Sequence, residues 1–141
     1  MLLLDVHVLT ESAVTLRSAQ AEVTMIPFTG TVDGLLQGVV EPGGCDTQTV
    51  DETGSRRMSA RYMLSGTLFP GTPQCRAARL YVENTGWFPG GKVSFPFRTT
   101  PVFITDDAEF RSLLAGYDCH GEGVLKADGL HILFYGDERT Q

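Results

Sequence analysis

The feature that most limits the fold of this chain is its punctuation. Clusters of glycine and proline recur at residues 29–34, 42–44, 69–74, 86–91 and 127–129, with sixteen glycines and seven prolines in all. Between them lie short segments with β-type patterning: residues 2–9, 21–28, 35–41, 58–68, 75–84, 93–97, 101–105, 121–126 and 130–135. Short β-patterned segments with turns spaced in this way predict an all-β sandwich or barrel. One helix is expected, near residues 107–115: Asp106 and Glu109 form a D-x-x-E capping pattern. Phe110, Leu113 and Leu114 share its apolar face, and Gly116 is placed to stop it. A closed or nearly closed antiparallel β-barrel over residues 1–141 is preferred, since closure removes edge strands that the chain does little else to protect. Residues 42–54 read as a long polar loop, and such loops are commonly functional or mobile.

The charge balance narrows the partners. Eleven Lys and Arg against seventeen Asp and Glu leave a net charge of −6. A nucleic-acid binder is expected to carry a basic face instead. No apolar run reaches the length of a membrane span, and Asp5 and His7 interrupt the apolar N-terminus where a signal peptide would need continuity. A cytoplasmic protein without nucleic-acid or membrane partners is therefore expected. Cys45, Cys75 and Cys119 are widely spaced and read as free thiols, although Cys45, in a glycine-rich segment, is a conceivable nucleophile. His7, His120 and His131 stand far apart without metal-ligand spacing, so neither a metal nor a cofactor is expected.

Candidate chemistry comes from charge inside strand patterns. Alternation puts Arg61 with Ser59, Met63 and Ser65 on one face, and Arg79, Tyr81 and Glu83 on one face of the next strand. If these strands pair, Arg61, Tyr81 and Glu83 meet. Inside a barrel they could polarise a carbonyl and move a proton; outside it they would form a surface ion pair of little energetic consequence. Asp46 and Gln48 follow the glycine pair at 43–44 and could be set over a barrel mouth, or could simply tie down a turn. Arg98 could bind a carboxylate or face solvent. Trp87 and Phe88 could line a pocket mouth or pack in the core or an interface.

Several segments together resemble a family known as domain of unknown function 3237: FTG at 28–30, GVVEPGGCDTQ at 38–48, ARY at 60–62, ENTG at 83–86, FRTTP at 97–101, FIT at 103–105 and GEG at 121–123. The resemblance runs from about residue 22 onward. It implies a compact barrel with a central cavity, similar to the allene-oxide-cyclase type, with one short helix. It implies no single activity, although barrels of that type include cyclases and isomerases. Where the family often has an aromatic between the loop Asp and Gln, this chain has Thr47, which implies a pocket that is wider or differently shaped.

Two functions are weighed. One is a cofactor-independent isomerase, cyclase or lyase acting on a small carbonyl-containing metabolite. Here Glu83 or Asp46 transfers the proton, Arg61 with Tyr62 or Tyr81 stabilises negative charge, and Gln48, Asn84, Trp87 and Arg98 bind substrate. The other is a non-catalytic barrel that binds or carries a small molecule. A homo-oligomer with Trp87 and Phe88 in its interface is a further expectation.

Overall fold

The computed structural model describes residues 1–139. Ten strands and one helix follow in the order β1 (Leu2–Thr10), β2 (Val14–Arg17), β3 (Glu22–Gly34), β4 (Leu36–Val40), β5 (Cys45–Val50), β6 (Arg56–Leu68), β7 (Arg76–Phe88), β8 (Phe97–Thr105), α1 (Ala108–Ala115), β9 (Tyr117–Lys126) and β10 (Gly129–Glu138). Every pairing is antiparallel, in the order β1-β10-β9-β8-β7-β6-β4-β3-β2. The sheet closes because β1 also pairs with β3, from Leu4 opposite Gly34 to Thr10 opposite Phe28. The result is an eight-staved closed barrel.

One stave is built from two strands. β4 occupies the lower half of the slot between β3 and β6, and β5 the upper half. The chain turns at Pro42 and Gly43, where Gly43 has φ +106°, and re-enters the same slot. This corrects the expectation of a loop over residues 42–54: Cys45–Val50 is a strand, hydrogen-bonded on both edges. It escapes periodicity because neither face is oily: its inner side chains meet a polar part of the interior and its outer ones meet solvent. The turn expected at 29–34 lies inside β3, and that expected to begin at 86 lies inside β7 up to Phe88. The two short strands expected at 93–97 and 101–105 give one strand, β8. β2, unforeseen, pairs with the upper half of β3 and is exposed throughout.

The two ends of the barrel differ. At the lower end α1 acts as a plug: Phe110 is fully buried, packing edge-on against Phe69, above a layer containing Leu4, Leu36, Leu64, Leu68 and Leu80. Its N-cap is Asp107, one residue later than expected, and accepts from the Phe110 N–H at 3.0 Å. Asp107 also holds the Arg76 guanidinium through two hydrogen bonds of 2.7 and 2.8 Å. That pairing depresses its carboxyl to about 2 and ties the helix to β7. Asp106 instead accepts from the Arg79 N–H, and Glu109 pairs with Arg76. No helix among the described residues is long and apolar enough to cross a membrane.

β4 and β6 approach closely because Gly38 faces Gly66 directly. A Cβ at Gly38 would meet the carbonyl oxygen of Ser65, and one at Gly66 that of Gln37. Both obstacles are backbone, so neither can swing aside. Gly38→Ala and Gly66→Ala are each expected to destabilise the barrel by about 2–3 kcal/mol through overpacking. A lowered urea midpoint at unchanged slope checks this.

Candidate active site

Barrel closure decides which side of each strand is inside. On β6 the even residues Met58, Ala60, Tyr62 and Leu64 are buried, and on β7 Ala78, Leu80, Val82, Asn84 and Phe88 are. The expected pairing of these strands holds, with Arg61 opposite Glu83 and Ala60 opposite Asn84. Arg61, Tyr81 and Glu83 do meet, but on the outer wall. The Tyr81 hydroxyl donates to Glu83 at 3.2 Å, and Arg61, 65% exposed, lies 3.7 Å from Glu83. The expectation that they act inside a pocket is thereby corrected: they form a screened surface cluster.

Asp46, Gln48, Tyr62 and Asn84 face the other way. The β5–β6 register sets Asp46 beside Ala60 and Gln48 beside Met58, so both share the inner face. Asp46 and Asn84 therefore flank the small Ala60 from opposite sides, their backbones about 10 Å apart at two strand spacings. The space left above Ala60 opens into a cavity of about 160 Å³. Its walls also include Ile26, Phe28, Met58, Phe97, Leu130 and Ile132. Val93 and Phe95, from the segment between β7 and β8, line its mouth end. A cavity of this size suits a ligand about as large as benzene or slightly larger.

Several polar atoms in this interior lack partners. Asp46 Oδ1, Tyr62 OH, Asn84 Oδ1 and Thr99 Oγ1 are buried and have no hydrogen-bond partner among the described residues. Each such group costs about 1–3 kcal/mol; Asp46, Tyr62 and Asn84 line the cavity, and Thr99 lies outside its lining. By contrast the other Asp46 oxygen is firmly held. Gln48 Nε2 donates to Asp46 Oδ2 at 2.8 Å, and Arg56 donates to Gln48 Oε1 at 2.9 Å and to the Gly91 carbonyl at 2.8 Å. The chain Arg56–Gln48–Asp46 orients the carboxylate so that Oδ1 is the free atom. Burial pushes the Asp46 carboxyl above its ordinary value, and the Gln48 hydrogen bond and the Arg56 charge oppose that rise. Tyr62 is pushed well above the usual phenol range by burial and by the neighbouring Asp46 charge, so its hydroxyl stays a donor. Its ring is held edge-on against Phe28 at 5.0 Å.

The remaining expected site residues lie outside. Trp87 is 56% exposed on the outer face of β7, with the Arg57 guanidinium 5.5 Å from its ring centroid. Arg98 lines the same outer groove, as does Thr47, so an aromatic at that position would alter the outer wall and not the pocket. Phe88 packs inward on Phe97, which removes it from any interface. Cys45 is paired in register with Arg61 and has its sulfur on that outer side, away from the cavity. Arg56, Thr99 and the cavity-lining Val93 and Phe95 were not anticipated. Arg56 carried a readable signal, since it begins the inward-facing even set of β6.

A closed barrel with a small, mostly apolar interior and one oriented carboxylate defines a class of pocketed β-barrels. The chain matches the family described as Protein of unknown function (DUF3237) over residues 2–135, and belongs to it. A protein of unknown function from Clostridium acetobutylicum ATCC 824 superposes with TM-score 0.74 at 22% identity, covering 96% of this chain and 94% of that one. A conserved protein of unknown function from Rhodopseudomonas palustris gives 0.70 at 22%, covering 94% and 93%. A β-barrel-like protein from Acinetobacter baumannii AYE gives 0.69 at 22%, covering 96% and 92%. At these identities the likeness concerns the fold. No curated protein matches the chain.

The raised Asp46 pKa has a measurable consequence. A carboxyl that binds its proton more tightly folded than unfolded adds stability at low pH, and that contribution is lost as pH rises through the folded value. Asp46→Asn removes the group that must be charged inside. The variant is therefore expected to gain stability relative to wild type at about pH 7, and the gap to close near pH 4 or below. Urea midpoints at the two pH values check the sign.

Proposed function

We propose that this barrel is a cofactor-independent isomerase, cyclase or lyase that moves a proton on a small carbonyl-containing metabolite. The observation that carries the reading is the free Asp46 Oδ1 beside the unpartnered Tyr62 hydroxyl in one cavity. In this reading the Tyr62 O–H donates to the substrate carbonyl oxygen. Asp46 Oδ1 takes the proton from the adjacent carbon, the C–H electron pair becomes the new C=C, and the carbonyl pair moves to oxygen. Tyr62 then donates to an enolate, a stronger acceptor than the ketone, so the bond is worth more in the transition state. Return of the proton at another carbon completes an isomerisation without a further group. Asn84 orients the substrate, while Gln48 and Arg56 hold the carboxylate in place. Free thiols at Cys45, Cys75 and Cys119 accord with a cytoplasmic setting.

The raised Asp46 carboxyl suits the task, since a base works best when its pKa approaches the working pH. Activity is expected to rise with pH as Asp46 ionises.

The test uses cyclic ketones and enones of about six to eight carbons, sized to the cavity, in D₂O with deuterium uptake at the α-carbon followed by NMR. Wild type is expected to accelerate exchange, Asp46→Asn to lose about 10²–10⁴-fold of that rate, and Tyr62→Phe to lose less. The second reading, a non-catalytic binding barrel, is favoured by the largely apolar lining, in which Asp46 is the one carboxylate. It predicts that ligands captured from a metabolite extract return unchanged, with the same compound released by wild type and Asp46→Asn. Different released compounds would support the catalyst.

A further inference from the structure

On the outer wall, away from the cavity, the fold joins side chains that lie more than a hundred positions apart in the chain. His7 on β1 stands directly opposite His131 on β10. Their rings stack with centroids 4.6 Å apart and planes 7° from parallel. Asp128, in the turn between β9 and β10, lies beside both: its Oδ1 is 2.7 Å from His131 Nε2, and its Oδ2 is 3.9 Å from His7 Nδ1. This overturns the expectation that the histidines stay apart, since strand pairing brings together what the sequence separates.

We infer that His7, Asp128 and His131 form a binding site for a divalent transition metal of the zinc class. The first reason is donor geometry. One imidazole nitrogen from each histidine and a carboxylate oxygen lie within 4.8 Å of one another. A tetrahedral ion with bonds of about 2.0–2.1 Å spaces its donors about 3.4 Å apart. In the structure the two Asp128 oxygens divide between the rings, Oδ1 at 2.7 Å from His131 Nε2 and Oδ2 at 3.9 Å from His7 Nδ1. Binding one ion takes rotation of the Asp128 side chain, which is 60% exposed, and a tilt of the imidazoles out of their 7° stack so that both nitrogen lone pairs converge on it.

The second reason is that both histidines are already oriented from behind. His131 Nδ1–H donates to Asp5 Oδ1 at 2.7 Å, which directs Nε2 toward Asp128. His7 Nε2–H donates to the Asp128 carbonyl at 2.9 Å, which leaves the Nδ1 lone pair on the Asp128 side. A metal-binding histidine characteristically gives its other N–H to a carboxylate or carbonyl, which fixes the tautomer and raises ligand basicity. Here both do. Asp5 is itself held by Lys126 Nζ at 3.3 Å.

The third reason is charge. His131 has a carboxylate at 2.7 Å from each ring nitrogen and is only 7% exposed. A neutral imidazole has one N–H, so the two hydrogen bonds are made together by the imidazolium, unless a metal ion takes the place of the Nε2 proton. A metal ion supplies that charge and takes a third donor from His7. Water completes the fourth position, reached through the exposed Asp128. The bound ion would clamp the β9–β10 turn onto β1.

Zn²⁺ and Co²⁺ titrated into chelator-treated, tag-free protein test the assignment. Wild type is expected to take up one equivalent, with visible Co²⁺ absorption of low-coordinate nitrogen–oxygen ligation, and to unfold at higher temperature with Zn²⁺. His7→Gln and Asp128→Asn, which keep size and some hydrogen bonding, are each expected to weaken binding at least tenfold. His120→Gln removes the other histidine–carboxylate pair, with Asp137 at 3.2 Å, and is expected to leave it unchanged. Absence of saturable one-equivalent uptake would overturn the site, as would uptake that survives both substitutions or is lost in His120→Gln.

Discussion

The pairing of β1 with β3 is the interaction on which everything else depends. Without it the strands form an open, twisted sheet with two long edges and no enclosed space. With it, the alternation of side chains becomes an alternation between an interior and an exterior. The same pairing leaves the upper part of β3 to β2, so the seam changes partner near Pro27, whose carbonyl accepts from the Glu11 N–H at 2.8 Å. A residue with no N–H of its own suits that position.

Closure creates a volume, and residue size decides how it is filled. In the lower half, large aliphatic side chains and the Phe110 plug fill it. In the upper half, Ala60, Gly86, Gly121 and Gly123 remove bulk from the inner face. The space over Gly123 is taken by the Phe97 ring, while that over Ala60 remains as part of the cavity. Into this space project Asp46 Oδ1, Tyr62 OH and Asn84 Oδ1, without a hydrogen-bond partner among the described residues. The Arg56–Gln48–Asp46 chain reaches across two strands to hold one carboxylate oxygen and leave the other free. Each unpaired buried group in this half of the barrel costs stability that the packed lower half does not give up.

Much of the fold was legible. The turn clusters at 42–44 and 69–74 fell between strands and that at 127–129 at the β9–β10 turn, the β6–β7 pairing was anticipated, and Phe110, Leu113 and Leu114 marked the helix. What escaped notice has a common physical cause. β5 carries polar residues on both faces and offers no period-two apolar signal. Gly30 and Gly86 lie within strands because a Cβ there would strike the His7 carbonyl or the Met58 side chain; close approach and turning require the same residue.

The candidate site divides along the same line. Sequence alone determined that the chain is β-rich, that Arg61, Tyr81 and Glu83 share a face, and that Tyr62 and Asn84 lie on the opposite one. Alternation is a local property of an extended backbone and survives without any knowledge of neighbours. Tertiary structure alone decided which face is inside, because that depends on β1 reaching β3 across the whole barrel. It placed Asp46, Gln48, Tyr62 and Asn84 around a cavity and sent Arg61, Tyr81, Glu83, Trp87 and Arg98 to the surface. It also brought His7 to His131, a meeting set by strand register between opposite ends of the chain and by nothing within either segment.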